Sequence, residues 1–231
     1  MRQVLITGAS AGIGASTARR FLEAGYGVIN LSRRPCPVEG VLHVPCDLSR
    51  GGFLDEIAAA LAPRLETAET LTLIHNAARM AGDTAAATDS ALLRDVLEVN
   101  VVAPNSLNRF CIPYMRPGSA IVYVGSTLSE KAVPGSFSYV TSKYAAVGMM
   151  RATCQDLAGT GIHTVCICPG FTDTEMLRAH VPAEALDGVR AMSAYNRLIR
   201  PSEIADAIFW AAGRPVIDGA VIHANLGQLE R

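Results

Sequence analysis

The sequence is poor in charge, and what charge it carries cancels. Charged residues make up 18 %, and Lys+Arg 20 against Asp+Glu 21 leaves a formal net charge of −1. Without a field of one sign there is no broad attraction for nucleic acid or an anionic membrane, and neither is expected as a partner. No apolar run approaches the length that crosses a bilayer. The first residues pass straight into a strand-like run and a glycine turn, which fits neither a signal peptide nor a transit peptide. No CxxC pair occurs among the six cysteines, Cys36, Cys46, Cys111, Cys154, Cys166 and Cys168. Most lie in apolar segments and are read as reduced, buried thiols of a cytoplasmic protein. Cys166 and Cys168 are expected to turn to opposite faces of their strand, which argues against a shared metal. His75 has no His or Cys cluster around it, so it is read as a packed strand residue, and no metal site is expected. Internal repeats and low-complexity linkers are also missing.

What is present is apolar material arranged in alternation. Hydrophobic residues make up 50 % of 231 positions, enough for one large core, and a single domain spanning 1–231 is expected. Strand-like runs at 4–7, 27–31, 41–46, 71–75, 119–124, 162–168 and 220–223 alternate with helical patterns at 16–24, 51–65, 91–114, 139–158 and 201–212. Such alternation predicts a Rossmann-like α/β fold, doubly wound, with a mostly parallel seven-stranded sheet and helices on both faces. Residues 175–200 have helical character without a fixed period, as expected of a lid over an apolar substrate.

The first strand runs into Gly8-Ala9-Ser10-Ala11-Gly12-Ile13-Gly14 and then a helix. Glycines there let the backbone approach a pyrophosphate, while the helix N-terminus offers free N–H groups. The second strand ends at Ser32-Arg33-Arg34 with no acidic residue before Glu39. That end suits the 2′-phosphate of NADP better than the free 2′-hydroxyl of NAD, although two solvated arginines would read the same. Asp47-Leu48 follows the third strand and is placed to bracket an adenine ring, or Asp47 caps a helix. Asn76 and Ala77 end the fourth strand, where small residues leave room for a ribose. Asn100 lies among valines in a helical stretch four residues before Pro104, and its amide is expected to serve a backbone kink or hold a water.

The stretch that organises the chain is 126–143. The fifth strand delivers Ser126 at its C-terminal end, the edge where parallel sheets bind ligands. Tyr139 and Lys143, one helical turn apart, project from one face. A free tyrosine has a pKa near 10, so using the phenol near neutrality needs a shift of about 3 units, roughly 4 kcal/mol, which nearby cations can supply.

Thr7-Gly8-x-x-x-Gly12-Ile13-Gly14, Asn76-Ala77-Ala78, Asn100, Ser126, Tyr139-x-x-x-Lys143 and Pro169-Gly170-x-x-x-Thr174 stand in an order and spacing that resembles the short-chain dehydrogenase/reductase family, over nearly the whole chain. The resemblance implies an oxidoreductase of the CH–OH group in which Tyr139 is the acid or base and Ser126 polarises the substrate oxygen. Lys143 would lower the Tyr139 pKa and bind the nicotinamide ribose, and Asn100 would hold a water linking Lys143 to solvent. Gly8, Ser10, Gly12, Ile13 and Gly14 would cradle the pyrophosphate, Asp47 and Asn76 would frame the adenosine, and Pro169, Gly170, Thr172 and Thr174 would lie against the nicotinamide. His75, Ala78, Thr172 and the closing Ala224-Asn225-Leu226-Gly227 depart from the family's usual residues.

These readings converge on NADP(H) favoured over NAD(H), a small apolar carbonyl or alcohol substrate, and a homodimer or homotetramer. Thr127, Leu128, Val133, Phe137, Phe171, Met176 and Leu177 are expected around the substrate, with Met192 and Tyr195 from the lid. A non-catalytic NADP-binding sensor or regulator with the same fold is the alternative.

Overall fold

A computed structural model describes residues 1–228, so the last three residues of the expected 1–231 unit lie outside it. Seven strands form one sheet: β1 (Gln3–Thr7), β2 (Gly27–Ser32), β3 (Leu42–Pro45), β4 (Leu71–His75), β5 (Ala120–Val124), β6 (His163–Pro169) and β7 (Ala220–Ala224). Their order is β3-β2-β1-β4-β5-β6-β7, and every pairing is parallel. The direction of travel reverses between β1 and β4, and crevices at such a switch point are where parallel sheets bind ligands. β1, β4, β5 and β6 are buried on both faces, which is why they read as continuous apolar runs.

The described residues form eight α-helices: α1 (Gly12–Glu23), α2 (Phe53–Glu66), α3 (Ser90–Leu97), α4 (Ala103–Cys111), α5 (Phe137–Asp156), α6 (Glu175–His180), α7 (Leu186–Arg190) and α8 (Pro201–Ala212). Side chains alternate across each strand, so two cores form. Leu5, Leu73, Ile121 and Tyr123 pack with α2, α4 and α5 on one side. Val4, Ile6, Ile74 and Val122 pack with α1 and α8 on the other. The expected 175–200 segment contains α6, α7 and a short 3-10 turn at Ala183–Ala185 between them.

Several boundaries move, each for a physical reason. α1 begins at Gly12, not Ser16, so the second half of the glycine turn is already helix. α5 begins at Phe137, two residues before Tyr139. The single helix expected over 91–114 is broken by a π-helical turn at Glu98–Val102, where the amide of Ala103 donates to the Glu98 carbonyl. Pro104 has no N–H for the carbonyl of Asn100 four residues back, and the wider turn accommodates that loss. Asp47 does not cap α2, whose N-cap is Gly52; it accepts from the amide and hydroxyl of Ser49 at 3.1 and 2.7 Å.

The expectation for Cys166 and Cys168 is overturned. Two residues apart on β6, they share a face, because strand side chains repeat with period two. Their sulfurs lie 3.8 Å apart beneath Gly125. All six cysteines are free thiols.

Candidate active site

The glycine turn is built by polar groups that bind backbone. Gly8 has φ +73°, a conformation glycine adopts without strain. Asn76 donates from Nδ2 to the carbonyls of Thr7 and Gly8 at 2.9 and 3.1 Å. The Thr7 hydroxyl accepts from the amides of Asn76 and Ala77 at 2.9 and 3.0 Å. The ends of β1 and β4 are thereby stitched together at the switch point. A Cβ on Gly14 would lie 2.3 Å from the Gly8 carbonyl oxygen, so this glycine exists for close packing of α1 on β1. A Cβ on Gly12 would lie 3.1 Å from Thr174 Cγ2, so the residue that caps α6 rests directly on the turn.

Asn30, not singled out in the sequence, is the other anchor of this turn. It is fully buried in β2, accepts from the amide of Ala9 at 3.0 Å and donates to the Arg34 carbonyl at 3.3 Å. An amide inside an apolar strand has to be partnered, and that alone could have marked it. The Ser32 hydroxyl also donates to the Arg34 carbonyl, so it shapes the loop after β2. Arg34 pairs with Glu175 of α6 at 3.0 Å, an exposed contact. The Ser49 hydroxyl and amide hold the Asp47 carboxyl below the usual range, with a smaller contribution from Arg33.

These groups face a cavity of about 1130 Å³. Of the residues proposed from sequence, Gly8, Ser10, Gly12, Ile13, Ser32, Arg33, Arg34, Asp47, Leu48, Asn76, Ala77, Ser126, Tyr139, Lys143, Pro169, Gly170, Thr172 and Thr174 all line it. Gly14 and Asn100 do not. Leu128, Val133, Phe171, Met176, Leu177 and Met192 line it too. Phe137 and Tyr195 stay outside, and both are exposed.

Around the hydroxyls the geometry is tight. Ser126 caps a 3-10 turn, its Oγ accepting from the Leu128 amide at 3.1 Å. Tyr139 and Lys143 are both buried on α5, with Lys143 Nζ 5.3 Å from the centre of the phenol ring. The ammonium donates to the Val124 carbonyl at the end of β5, 2.8 Å away. Asn100 spends its amide on protein: Oδ1 accepts from the Arg79 amide at 2.7 Å, and Nδ2 donates to the Arg79 carbonyl and to Ser142 Oγ, both at 2.9 Å. Neither of the uses foreseen for this side chain, a kink near Pro104 or a water, is the one it makes: it binds the backbone of Arg79 and the hydroxyl of Ser142.

His75, where the family usually has asparagine, is buried and bonds through Nε2 to Asn108 Oδ1 at 2.8 Å, while Asn108 donates to the Tyr123 hydroxyl at 2.7 Å. Burial pushes its pKa down to about 4, against the opposing bond from Asn108. It is a neutral packing residue outside the cavity.

A seven-stranded parallel sheet, a glycine turn at its switch point and a serine, tyrosine and lysine in the same cavity define a dinucleotide-dependent oxidoreductase of the CH–OH group. The chain belongs to the short chain dehydrogenase family, whose profile matches residues 2–185. It is 31 % identical to Protein FixR of Bradyrhizobium diazoefficiens over 97 % of this chain and 86 % of that protein. It is 28 % identical to 2-(R)-hydroxypropyl-CoM dehydrogenase of Xanthobacter autotrophicus over 96 % of each. A short chain dehydrogenase family protein from Francisella tularensis superposes with a TM-score of 0.90 at 24 % identity, covering 98 % of both chains. Structures of the same fold carry NADH in 4-hydroxyisoleucine dehydrogenase and NADP in ElxO, at 22 % identity each, so the fold accepts either dinucleotide.

Proposed function

We propose that the protein is an NADP(H)-dependent oxidoreductase that interconverts a carbonyl compound and a secondary alcohol, with Tyr139 as the acid and base. The observation that carries this reading is that Ser126, Tyr139 and Lys143 open into the same cavity as the glycine turn. NADP(H), when bound, supplies or accepts the hydride. In reduction the Tyr139 hydroxyl gives its proton to the carbonyl oxygen; in oxidation the phenolate takes it back. Ser126 Oγ donates to that oxygen and polarises the carbonyl. Lys143 favours the phenolate through its charge and holds the nicotinamide ribose. The Asn100 backbone carbonyl, which Pro104 cannot serve, holds the water that leads from Lys143 toward solvent.

Cofactor preference rests on Arg33. Arg34 is engaged by Glu175, whereas Arg33 and Asp47 both line the cavity, where they would meet the adenosine. Gly8, Ser10, Gly12 and Ile13 cradle the pyrophosphate, with Gly14 packing behind them. Leu48, Asn76 and Ala77 flank the adenosine, and Pro169, Gly170, Thr172 and Thr174 flank the nicotinamide. Leu128, Val133, Phe171, Met176 and Leu177 give the remaining wall an apolar part, which suits an apolar carbonyl compound, beside polar groups that include Arg79, Lys131 and His180, with residues 175–200 as the lid. Free cysteines accord with a cytoplasmic protein. Phe137 and Tyr144, exposed on the outer face of α5, support a homodimer or homotetramer.

A second reading is a non-catalytic NADP-binding regulator of the same fold. A panel of aliphatic and aromatic ketones and aldehydes, followed by the absorbance of NADPH, separates the two. Turnover of at least one compound, lost in Tyr139→Phe with NADPH affinity kept, is the expected result. Y139F turnover equal to the parent's sinks the mechanism, and NADPH binding without turnover across the panel favours the regulator.

A further inference from the structure

We infer that Asp83 is a positioning residue for the reaction, clamping the first turn of α5 so that Tyr139 is held at a fixed orientation in the cavity. The inference rests on the acid/base reading of Tyr139.

A helix has free N–H groups in its first turn, and the residue preceding it usually satisfies one through its side chain. α5 departs from this, since its N-cap Ser136 makes no capping bond and its first turn carries no acidic residue. The missing acceptors come from Asp83, more than fifty positions earlier. Its carbonyl accepts from the Phe137 amide at 3.2 Å and its Oδ1 from the Ser138 amide at 3.1 Å. Its own amide donates to the Gly135 carbonyl at 3.1 Å, completing a parallel bridge with Ser136. Asp83 is buried, with 7 % of its surface exposed. Burial pushes its carboxyl up, and Ser138, Thr88 and the Phe137 amide outweigh that, so it settles below the usual carboxylate range, with Oδ1 bound by the Ser138 amide and Oδ2 and Ser138 Oγ outside normal hydrogen-bond geometry. An ionised acceptor at a helix N-terminus is favoured by both hydrogen bonding and the helix dipole.

The clamp is one of two with the same logic. Ser138 and Ser142, fully buried and one turn apart, immediately precede Tyr139 and Lys143. Ser138 is bound by Asp83 through its backbone amide. Ser142 Oγ is bound by Asn100 and itself donates to the Tyr139 carbonyl at 2.7 Å. Asn100 is in turn fixed to Arg79. Residues 76–83 thus reach the glycine turn through Asn76, Asn100 through Arg79, and the tyrosine's helix through Asp83. Without Asp83 the first turn of α5 frays, and a phenol displaced by about 1 Å costs rate by roughly two orders of magnitude.

The test uses D83A, D83N and D83E in the full chain. The D83N side chain keeps an acceptor of the right reach without charge, and that of D83E keeps the charge at the wrong reach. Measured are kcat and KM on the best panel substrate, NADPH affinity by fluorescence, the thermal midpoint, and hydrogen exchange at the first α5 amides. Expected are a kcat loss of about 10- to 100-fold in D83A and at least 5-fold in D83E, NADPH affinity within 3-fold, exchange at Phe137 and Ser138 at least 10-fold faster, and D83N within about 3-fold of the parent. If D83A does not fold, the D83N against D83E ranking decides alone. The inference is overturned if D83E matches the parent, if D83N falls as far as D83E, or if D83A exchanges and turns over as the parent does. Should Y139F itself stay active, the acid/base reading fails, while the exchange measurement still reports on the clamp.

Discussion

The ammonium of Lys143 donates to the carbonyl of Val124 at 2.8 Å, and this bond ties α5 to the strand end that delivers Ser126. One side chain therefore sets the distance between the two elements that carry the hydroxyls. In Lys143→Met both the charge and this bond are lost. Turnover is expected to fall at least 100-fold, and the orphaned Val124 carbonyl to cost about 1–3 kcal/mol of stability. Steady-state kinetics with a urea unfolding curve would check both; a kinetic defect with unchanged stability would limit Lys143 to chemistry.

Arg33 follows β2 and lies near enough to Asp47 to lower its pKa, whereas Arg34 is paired with Glu175. Arg33→Asp is expected to raise KM for NADPH at least tenfold, about 1.4 kcal/mol, with NADH changed less than threefold. Equal effects on the two dinucleotides would refute a 2′-phosphate role.

Gly14 admits no side chain, because a Cβ would sit 2.3 Å from the Gly8 oxygen and 2.6 Å from Asn76 Nδ2. Gly14→Ala is expected to push α1 off β1, lowering stability by roughly 1–3 kcal/mol and weakening dinucleotide binding. Melting with and without NADPH checks this, and a variant stabilised by NADPH as strongly as the parent would show that the turn had not moved.

His75 makes stability depend on acidity. Burial lowers its pKa from 6.5 to about 4, so below about pH 6.5 the unfolded chain takes up a proton that the native one refuses. The unfolded state then binds more protons, and stability falls as pH drops from 6.5 toward 4, by up to about 3 kcal/mol. His75→Asn should flatten that part of the profile. Urea midpoints at pH 7 and pH 5 decide it; parallel losses in both proteins would place the sensitivity elsewhere.

Much of this was legible from residue types and spacing. The apolar runs fixed which segments are strands, since a parallel strand buried on both faces has no polar alternation to misread. Glycines after β1, a serine after β5 and a tyrosine and lysine one helical turn apart identified the cavity's groups before their meeting was visible. What spacing could not reveal was partnership across the chain. Asn100 spends its amide on Arg79, Asn30 reaches Ala9 and Arg34, and Cys166 meets Cys168 on one face.

The opening of α5 shows the division most clearly. Its sequence places Tyr139 and Lys143 on a common face, because helical geometry is local and follows from the residues themselves. What meets that helix is not local: Asp83, more than fifty residues away in sequence, accepts from its first turn, and Asn100 of the π-helical turn bonds Ser142. Hydrogen bonds of that range depend on the sheet order that brings the loop after β4 beside α5. Local periodicity therefore determined the elements and the chemistry they carry, while tertiary packing decided how the reacting groups are aimed.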